Sequence, residues 1–215
     1  MAVTNPELRQ LLKEGIGQLG LEPTADRLDS LLLYLELLEK WNRAFNLSGV
    51  KNPQQMVSLH ILDSLAISPH LDGHTILDVG SGAGLPGIPL AIFNPDKVFI
   101  LLDSNGKKTR FLFQVKLALK LDNLTIENNR IEHYDCPGQI DIVISRAFAT
   151  LRRLVELCRA VTRESGVLLA MKGVYPQDEI DELPEDVKIA ESVQLRVPGV
   201  EGSRHLLKVT LQGTK

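Results

Sequence analysis

Ile76-Leu77-Asp78-Val79-Gly80-Ser81-Gly82-Ala83-Gly84-Leu85-Pro86-Gly87-Ile88-Pro89-Leu90 is a short apolar run that ends in an acid, crosses a glycine-dense turn and re-emerges as proline and apolar residues at helical spacing. The pattern predicts strand, tight loop, helix. Glycines at alternate positions allow positive φ and leave no Cβ between main chain and ligand, so a flat or charged molecule can lie against the peptide groups. Pro86 suits a first helical turn, and the positive end of that helix is expected to face the ligand. The loop should therefore hold a nucleotide-like molecule.

Two ligands compete for it. Gly82-x-Gly84-x-x-Gly87 satisfies the dinucleotide fingerprint, and Asp103 ends the next predicted strand roughly 20 residues on, where a ribose-binding acid belongs. Asp78, two residues before Gly80, makes the pattern acid-x-Gly-x-Gly-x-Gly. That resembles the first motif of class I S-adenosylmethionine (AdoMet)-dependent methyltransferases more than that of a dehydrogenase. An acid at the strand end can meet an ammonium, directly or through water, but sits awkwardly beside a pyrophosphate.

Outward from the loop, helical patterns precede it and alternating strands and helices come after it. Asn5 caps a helix running to Leu19, and Thr24 opens a longer one on which Leu28, Leu31, Leu32, Leu35, Leu38, Trp41 and Phe45 form one apolar stripe. Asn52-Pro53 starts a third that carries His60, Asp63 and Ser64. Residues 1–72 are thus expected to form a helical cap, and residues 73–215 an AdoMet-binding core, together one compact unit. Strands at 98–103, 124–127, 140–144 and 167–171, with helices at 107–121 and 151–161, predict a parallel sheet covered on both faces. Segments 193–197 and 205–210 read as a hairpin. Added to the parallel strands, it gives the seven-stranded mixed sheet of a class I methyltransferase, whereas a dehydrogenase sheet more often ends parallel. The acid-rich stretch 178–191 reads as a solvated connection.

The 215 residues, 44% of them hydrophobic, suffice for one sizeable core and a small accessory element. No apolar run is long enough to cross a bilayer and the N-terminus has no signal-peptide form, so the expected location is cytoplasmic. Cys136 and Cys158 are too few and too isolated for a disulfide framework or a zinc site. No metal is expected.

Polar residues at the strand ends fall where open α/β sheets bind ligands. Asp103 can accept both ribose hydroxyls, with helix capping left to Ser104-Asn105. Arg130-Ile131-Glu132 offers a backbone N–H and an apolar side chain to an adenine ring; a helix start with a stray charge pair is the plainer reading. Arg146, in Ser145-Arg146-Ala147-Phe148, can bind a methionine carboxylate, an RNA phosphate or the O6/N7 edge of guanine, or make a surface ion pair. Lys172 is a second cation on that edge, and His60 and Asp63 read as structural residues of the cap, with a role at the mouth of the site as the alternative. Lys107, Lys108, Arg110, Lys116 and Lys120 form one acid-free basic run; Arg152, Arg153, Arg159 and Arg163 form another. Singly these mark wet helix faces, but two beside one cleft would be a footprint for a phosphate backbone. Aromatic residues, at 5%, are too sparse for an RNA-binding sheet of the stacking kind.

Several blocks in one order carry a family resemblance: residues 38–47 (Leu-Glu-Lys-Trp-Asn-Arg-Ala-Phe-Asn-Leu), His60-Ile61-Leu62-Asp63-Ser64, the glycine loop, Leu102-Asp103-Ser104, Ile144-Ser145-Arg146-Ala147-Phe148, Lys172-Gly173 and Gly202-Ser203-Arg204-His205. From about Leu31 onward the chain resembles the RsmG (GidB) family of bacterial methyltransferases that modify N7 of a guanine in 16S ribosomal RNA. Ser48 stands where relatives commonly have threonine, which keeps the hydroxyl. The resemblance implies AdoMet as cofactor and 16S rRNA or a small-subunit particle as partner; no membrane contact is expected, and the oligomeric state is not fixed by the sequence, a monomer being the expectation. It implies that Gly80 and Leu85 line the cofactor pocket with Gly82 in its loop, that Ile131 and Glu132 lie along the adenosine, and that Arg146 reaches cofactor or target. Asp78 and Asp103 then take the roles argued above. The competing expectations are an NAD-dependent oxidoreductase and an AdoMet-binding ribosome-assembly factor without turnover.

Overall fold

The computed structural model describes residues 5–136 and 138–211, with residues 163–165 and 211 described by backbone alone. Helix α1 (Pro6–Gln18) starts where the Asn5 side chain accepts the Leu8 N–H, and α2 (Ala25–Phe45) where Thr24 accepts that of Arg27. The α2 stripe is buried from Leu28 to Leu38, and Trp41 packs on Phe111 with ring centroids 5.6 Å apart. Asn52 caps α3 (Pro53–Met56), which widens into a π-helical turn at Val57–Leu62 before α4 (Asp63–Leu65). The hydrophobic pattern announces a helix here but not the π turn. Such turns insert one residue, rotate the helix beyond them and recur at functional sites.

Strands β1 (Thr75–Val79), β2 (Val98–Leu102), β3 (Leu124–Glu127), β4 (Ile140–Arg146), β5 (Thr162–Lys172), β6 (Val187–Gln194) and β7 (His205–Leu211) form one sheet in the order β3-β2-β1-β4-β5-β7-β6. The first five are parallel, and β7 runs antiparallel between β5 and β6. This is the expected seven-stranded mixed sheet. Alternate residues serve opposite faces. Ile76, Phe99 and Leu101 join a core built with the helical cap, α5 (Gly87–Phe93) and α6 (Gly106–Leu119); Leu77, Ile100 and Leu102 join a second core built on α7 (Leu151–Cys158).

The tail differs in detail from the expectation. The acid-rich stretch holds a short helix, α8 (Gln177–Asp181), and most of β6, so the strand precedes the expected segment 193–197. As an edge strand, β6 keeps Lys188, Glu191 and Ser192 exposed and has a bulge between Ile189 and Glu191, which disguises its alternation. Leu195 and Val197 are buried in the connecting loop against the cap-side core, and there they imitate a strand pattern.

From β1 the chain steps outward through β2 and β3, then returns to the other side of β1 as β4. The reversal between β1 and β4 opens a crevice at the carboxyl ends of the strands.

Candidate active site at the carboxyl edge of the sheet

The turn after β1 is fastened on three sides. The Gly80 and Ser81 N–H groups donate to the Leu102 carbonyl at 2.8 and 3.2 Å. From α2, the buried Tyr34 hydroxyl donates to the Ala83 carbonyl at 2.7 Å, and burial pushes its phenol above the ordinary value. The Gly87 N–H donates to Asp78 Oδ2 at 3.0 Å, and a Cβ on Gly87 would lie 2.7 Å from that oxygen, so only glycine admits the carboxylate. Pro86, cis to Leu85, is the N-cap of α5 rather than a residue of its first turn. The seven-residue α5 starts with an N–H already donated to Asp78.

Asp78 is 1% exposed, and burial pushes its carboxyl up to about 7, opposed by the Gly87 hydrogen bond and the charge of Arg146. Its Oδ1 is buried with no hydrogen-bond partner among the described residues.

A cavity of about 560 Å³ opens beside this turn. Gly80, Asp103, Ile131 and Glu132 line it, as do Lys108 and Phe148. Asp103 Oδ2 accepts the Gly82 N–H at 2.9 Å and Oδ1 accepts that of Asn105 at 2.8 Å, while Lys108 Nζ lies 3.6 Å from Oδ2. Asn105 caps α6, which leaves Asp103 to brace the glycine loop. The sequence reading did not single out Lys108 from its basic run. Of the other expected site residues, Gly82 is tied to Asp103, Asp78 and Leu85 are buried beneath the loop, and Arg146 faces elsewhere.

Arg146 lines a second cavity of about 420 Å³, together with Asp63, Lys172 and Arg204. Asp63, read from sequence as structural, is its organiser: Oδ2 accepts from Arg146 Nη1 and Oδ1 from Arg204 Nε, both at 3.0 Å. Arg146 also donates to the Leu59 carbonyl in the π turn at 3.0 Å. Lys172 is paired with Glu179 at 2.8 Å. His60 Nε2 lies 2.6 Å from Ser48 Oγ, and burial pushes the imidazole down and keeps it neutral. Ala147, at φ +53°, lines both cavities and so marks where they meet. A non-glycine residue in that conformation costs about 1–2 kcal/mol, strain of the kind that collects at functional sites.

The second basic run takes the plainer reading. Arg152 and Arg153 pair with Glu156, Arg153 also with Glu132, and Arg159 with Asp186. The side chain of Arg163 lies outside the described residues. On α6, Lys107, Arg110 and Lys116 have no carboxylate partner among the described residues. No group of three potential metal ligands occurs among the described residues.

The family model described as rRNA small subunit methyltransferase G matches residues 27–207. The chain belongs to that family. It is 47% identical over 202 residues to the ribosomal RNA small subunit methyltransferase G of Marinomonas sp. (strain MWYL1), covering 94% of this chain and 97% of the relative. To the protein of that name from Vibrio vulnificus (strain CMCP6) it is 49% identical, covering 93% and 95%. Among solved structures, the ribosomal protein L11 methylase of Lactobacillus delbrueckii subsp. bulgaricus superposes with TM-score 0.54 at 15% identity, over 75% of this chain and 80% of that one. P. horikoshii TYW2 in complex with MeSAdo gives 0.56 at 12% identity, over 72% and 63%. These two likenesses concern the fold alone, and the fold is that of class I methyltransferases.

AdoMet is the cofactor that this family and fold imply, and the residues of the methyltransferase fit it. The first cavity has the size of a small-ligand site. Its walls offer a carboxylate to a ribose diol at Asp103 and an apolar side chain to a purine at Ile131. A dinucleotide fits less well, since the helix N–H a pyrophosphate would need is already donated to Asp78.

Proposed function

We propose that this chain transfers a methyl group from AdoMet to N7 of a guanine in 16S ribosomal RNA, free or within the small-subunit particle. The observation that carries this reading is the pair of cavities meeting at Ala147, one suited to a nucleoside, the other lined by three cations and a single, fully engaged acid. In this reading Asp103 holds the ribose hydroxyls, Ile131 and Glu132 flank the adenine, Gly80 leaves the loop open, and Gly82 and Leu85 shape it. Asp78 Oδ1, buried beneath the loop without a partner among the described residues, is the acceptor for the methionine ammonium, directly or through water.

When bound, AdoMet supplies an electrophilic methyl on a sulfonium. Guanine N7 carries an unprotonated lone pair, so the chain needs no general base. His60 is held by Ser48 and Asp63 by two arginines. Positive charge develops on the guanine, and Asp63 offsets the arginines that would otherwise oppose it. What remains for the protein is to hold donor and acceptor in line, an effect that reaches about 7–11 kcal/mol. N7 lies in the deep groove of A-form RNA, so the target must be unpaired or distorted to reach this edge.

Arg146→Ala should lower the turnover of radiolabelled methyl transfer to small-subunit rRNA by roughly 10- to 100-fold, the loss of one or two charge-assisted hydrogen bonds. Normal turnover would return Arg146 to a purely structural ion pair.

Asp78 makes cofactor binding depend on pH. Its carboxyl is raised to about 7 from an ordinary value of 3.8, so the protonated form is favoured in the fold; the group stabilises below pH 3.8, and that contribution is lost as pH rises through 7. An ammonium beside it favours the carboxylate, so AdoMet binding below pH 7 must expel the proton. Calorimetric affinity should rise up to tenfold per unit toward pH 7, then fall above about 8 as the amino acid's own ammonium deprotonates. Asp78→Asn should remove the rise below 7; a rise that persists in that variant would assign it to another group.

A further inference from the structure

Tyr175 lies in the loop between β5 and α8, and its ring meets that of His205 at 5.4 Å and 72°, an edge-to-face pair. His205 lines the second cavity, beside Lys172, Gly173 and Arg204. Such a pair engages at most one face of the tyrosine, which is 42% exposed, and the neighbouring Val174 is 77% exposed. An aromatic ring held in place by a second ring, yet left open at the rim of a cationic cavity, has no role in the core.

We propose that Tyr175 is the platform on which an unpaired nucleotide next to the methylated guanine stacks. This rests on the acceptor reading of the second cavity. RNA is the occupant that the charges favour: Arg146, Lys172 and Arg204 line the cavity, three cations against two paired acids, Asp63 bound to both arginines and Glu179 to Lys172. Every base has a π-face, so a rim tyrosine adds affinity without reading sequence, while the cations meet the phosphates. An unpaired target next to an unpaired neighbour is also what access to N7 demands. The scarcity of aromatic residues argues against a stacking sheet but says nothing against one ring at a cavity mouth.

The test uses the full chain, a short single-stranded RNA with 2-aminopurine beside its one guanine, and small ribosomal subunits from cells lacking the protein. The chain and its Tyr175→Phe variant should quench the 2-aminopurine fluorescence, and Tyr175→Ala should not. With the subunits, Tyr175→Ala should raise KM about 5- to 30-fold, the lower part of the span for base–aromatic stacking. Its kcat, AdoMet affinity and slope of affinity against salt should stay unchanged, since no phosphate contact is lost. Equal quenching and equal KM in Tyr175→Ala, or a Tyr175→Phe variant as impaired as Tyr175→Ala, would overturn the proposal. Quenching without any methyl transfer by the unaltered chain would count against the acceptor reading and leave the stacking itself supported.

Discussion

Gly80→Arg should abolish AdoMet binding while the helical cap stays folded. Gly80 sits at φ +71°, where any side chain is strained by about 1–2 kcal/mol, and a Cβ built there overlaps the Phe148 ring. A long cationic side chain must then push Phe148 aside or enter the cavity that Gly80 and Phe148 both line. Either outcome removes the space for a nucleoside, and calorimetry should find affinity at least 1000-fold weaker, a loss of about 4 kcal/mol. The cap core around Leu12, Leu31 and Leu38 does not touch the substituted atom, so far-ultraviolet circular dichroism should keep its helical signal. Unchanged affinity would take the glycine loop out of the cofactor site.

Asp63→Ala should be nearly as damaging, for a different reason. One carboxylate, 7% exposed, fastens three parts of the chain: α4 of the cap, the end of β4 through Arg146, and the start of β7 through Arg204. Breaking a buried pair costs about 3–5 kcal/mol; because the two arginines are 21% and 26% exposed, water recovers part of their charge, and about 2–3 kcal/mol is the expected loss. For a chain of this size that lowers Tm by roughly 4–12 °C. Methyl transfer should fall more than 100-fold even at temperatures where the variant is folded, since both arginines lose their orientation and their charges no longer have an offset beside the guanine. Asp63→Asn, with one acceptor oxygen, should recover part of the stability and little of the activity. A variant with normal Tm and normal kcat would reduce Asp63 to a bystander.

The sheet was legible because its signals are local. Alternating apolar runs with short connections specify parallel strands, and the loop after Val79 could be read from three glycines and one acid. Asp103, Gly80, Ile131 and Glu132 were legible as cavity residues because each comes after a strand, and in an open sheet every strand end points to the same edge. The second cavity was not. Asp63 reaches Arg146 across 83 positions and Arg204 across 141, and no spacing rule links a helical cap to a strand start at that separation. The orientation of Asp63 also depends on the π turn before it, which no residue in 57–62 signals. Asp78 shows a partial reading: its acidity and place were evident, but not that the Gly87 N–H donates to one of its oxygens. The tail failed for a simple reason: an edge strand with a wet, charged face looks like a loop, and a buried loop looks like a strand.

The central claim is that this edge brings a methyl donor to guanine N7 in small-subunit rRNA. Its most direct test is to incubate the chain with AdoMet and small subunits from cells lacking it, then cleave the rRNA chemically at N7-methylated guanines and map the breaks. The account predicts one new cleavage, dependent on AdoMet and absent with Gly80→Arg. Methylation at another atom, or AdoMet bound with no new cleavage in either rRNA or particle, would contradict it.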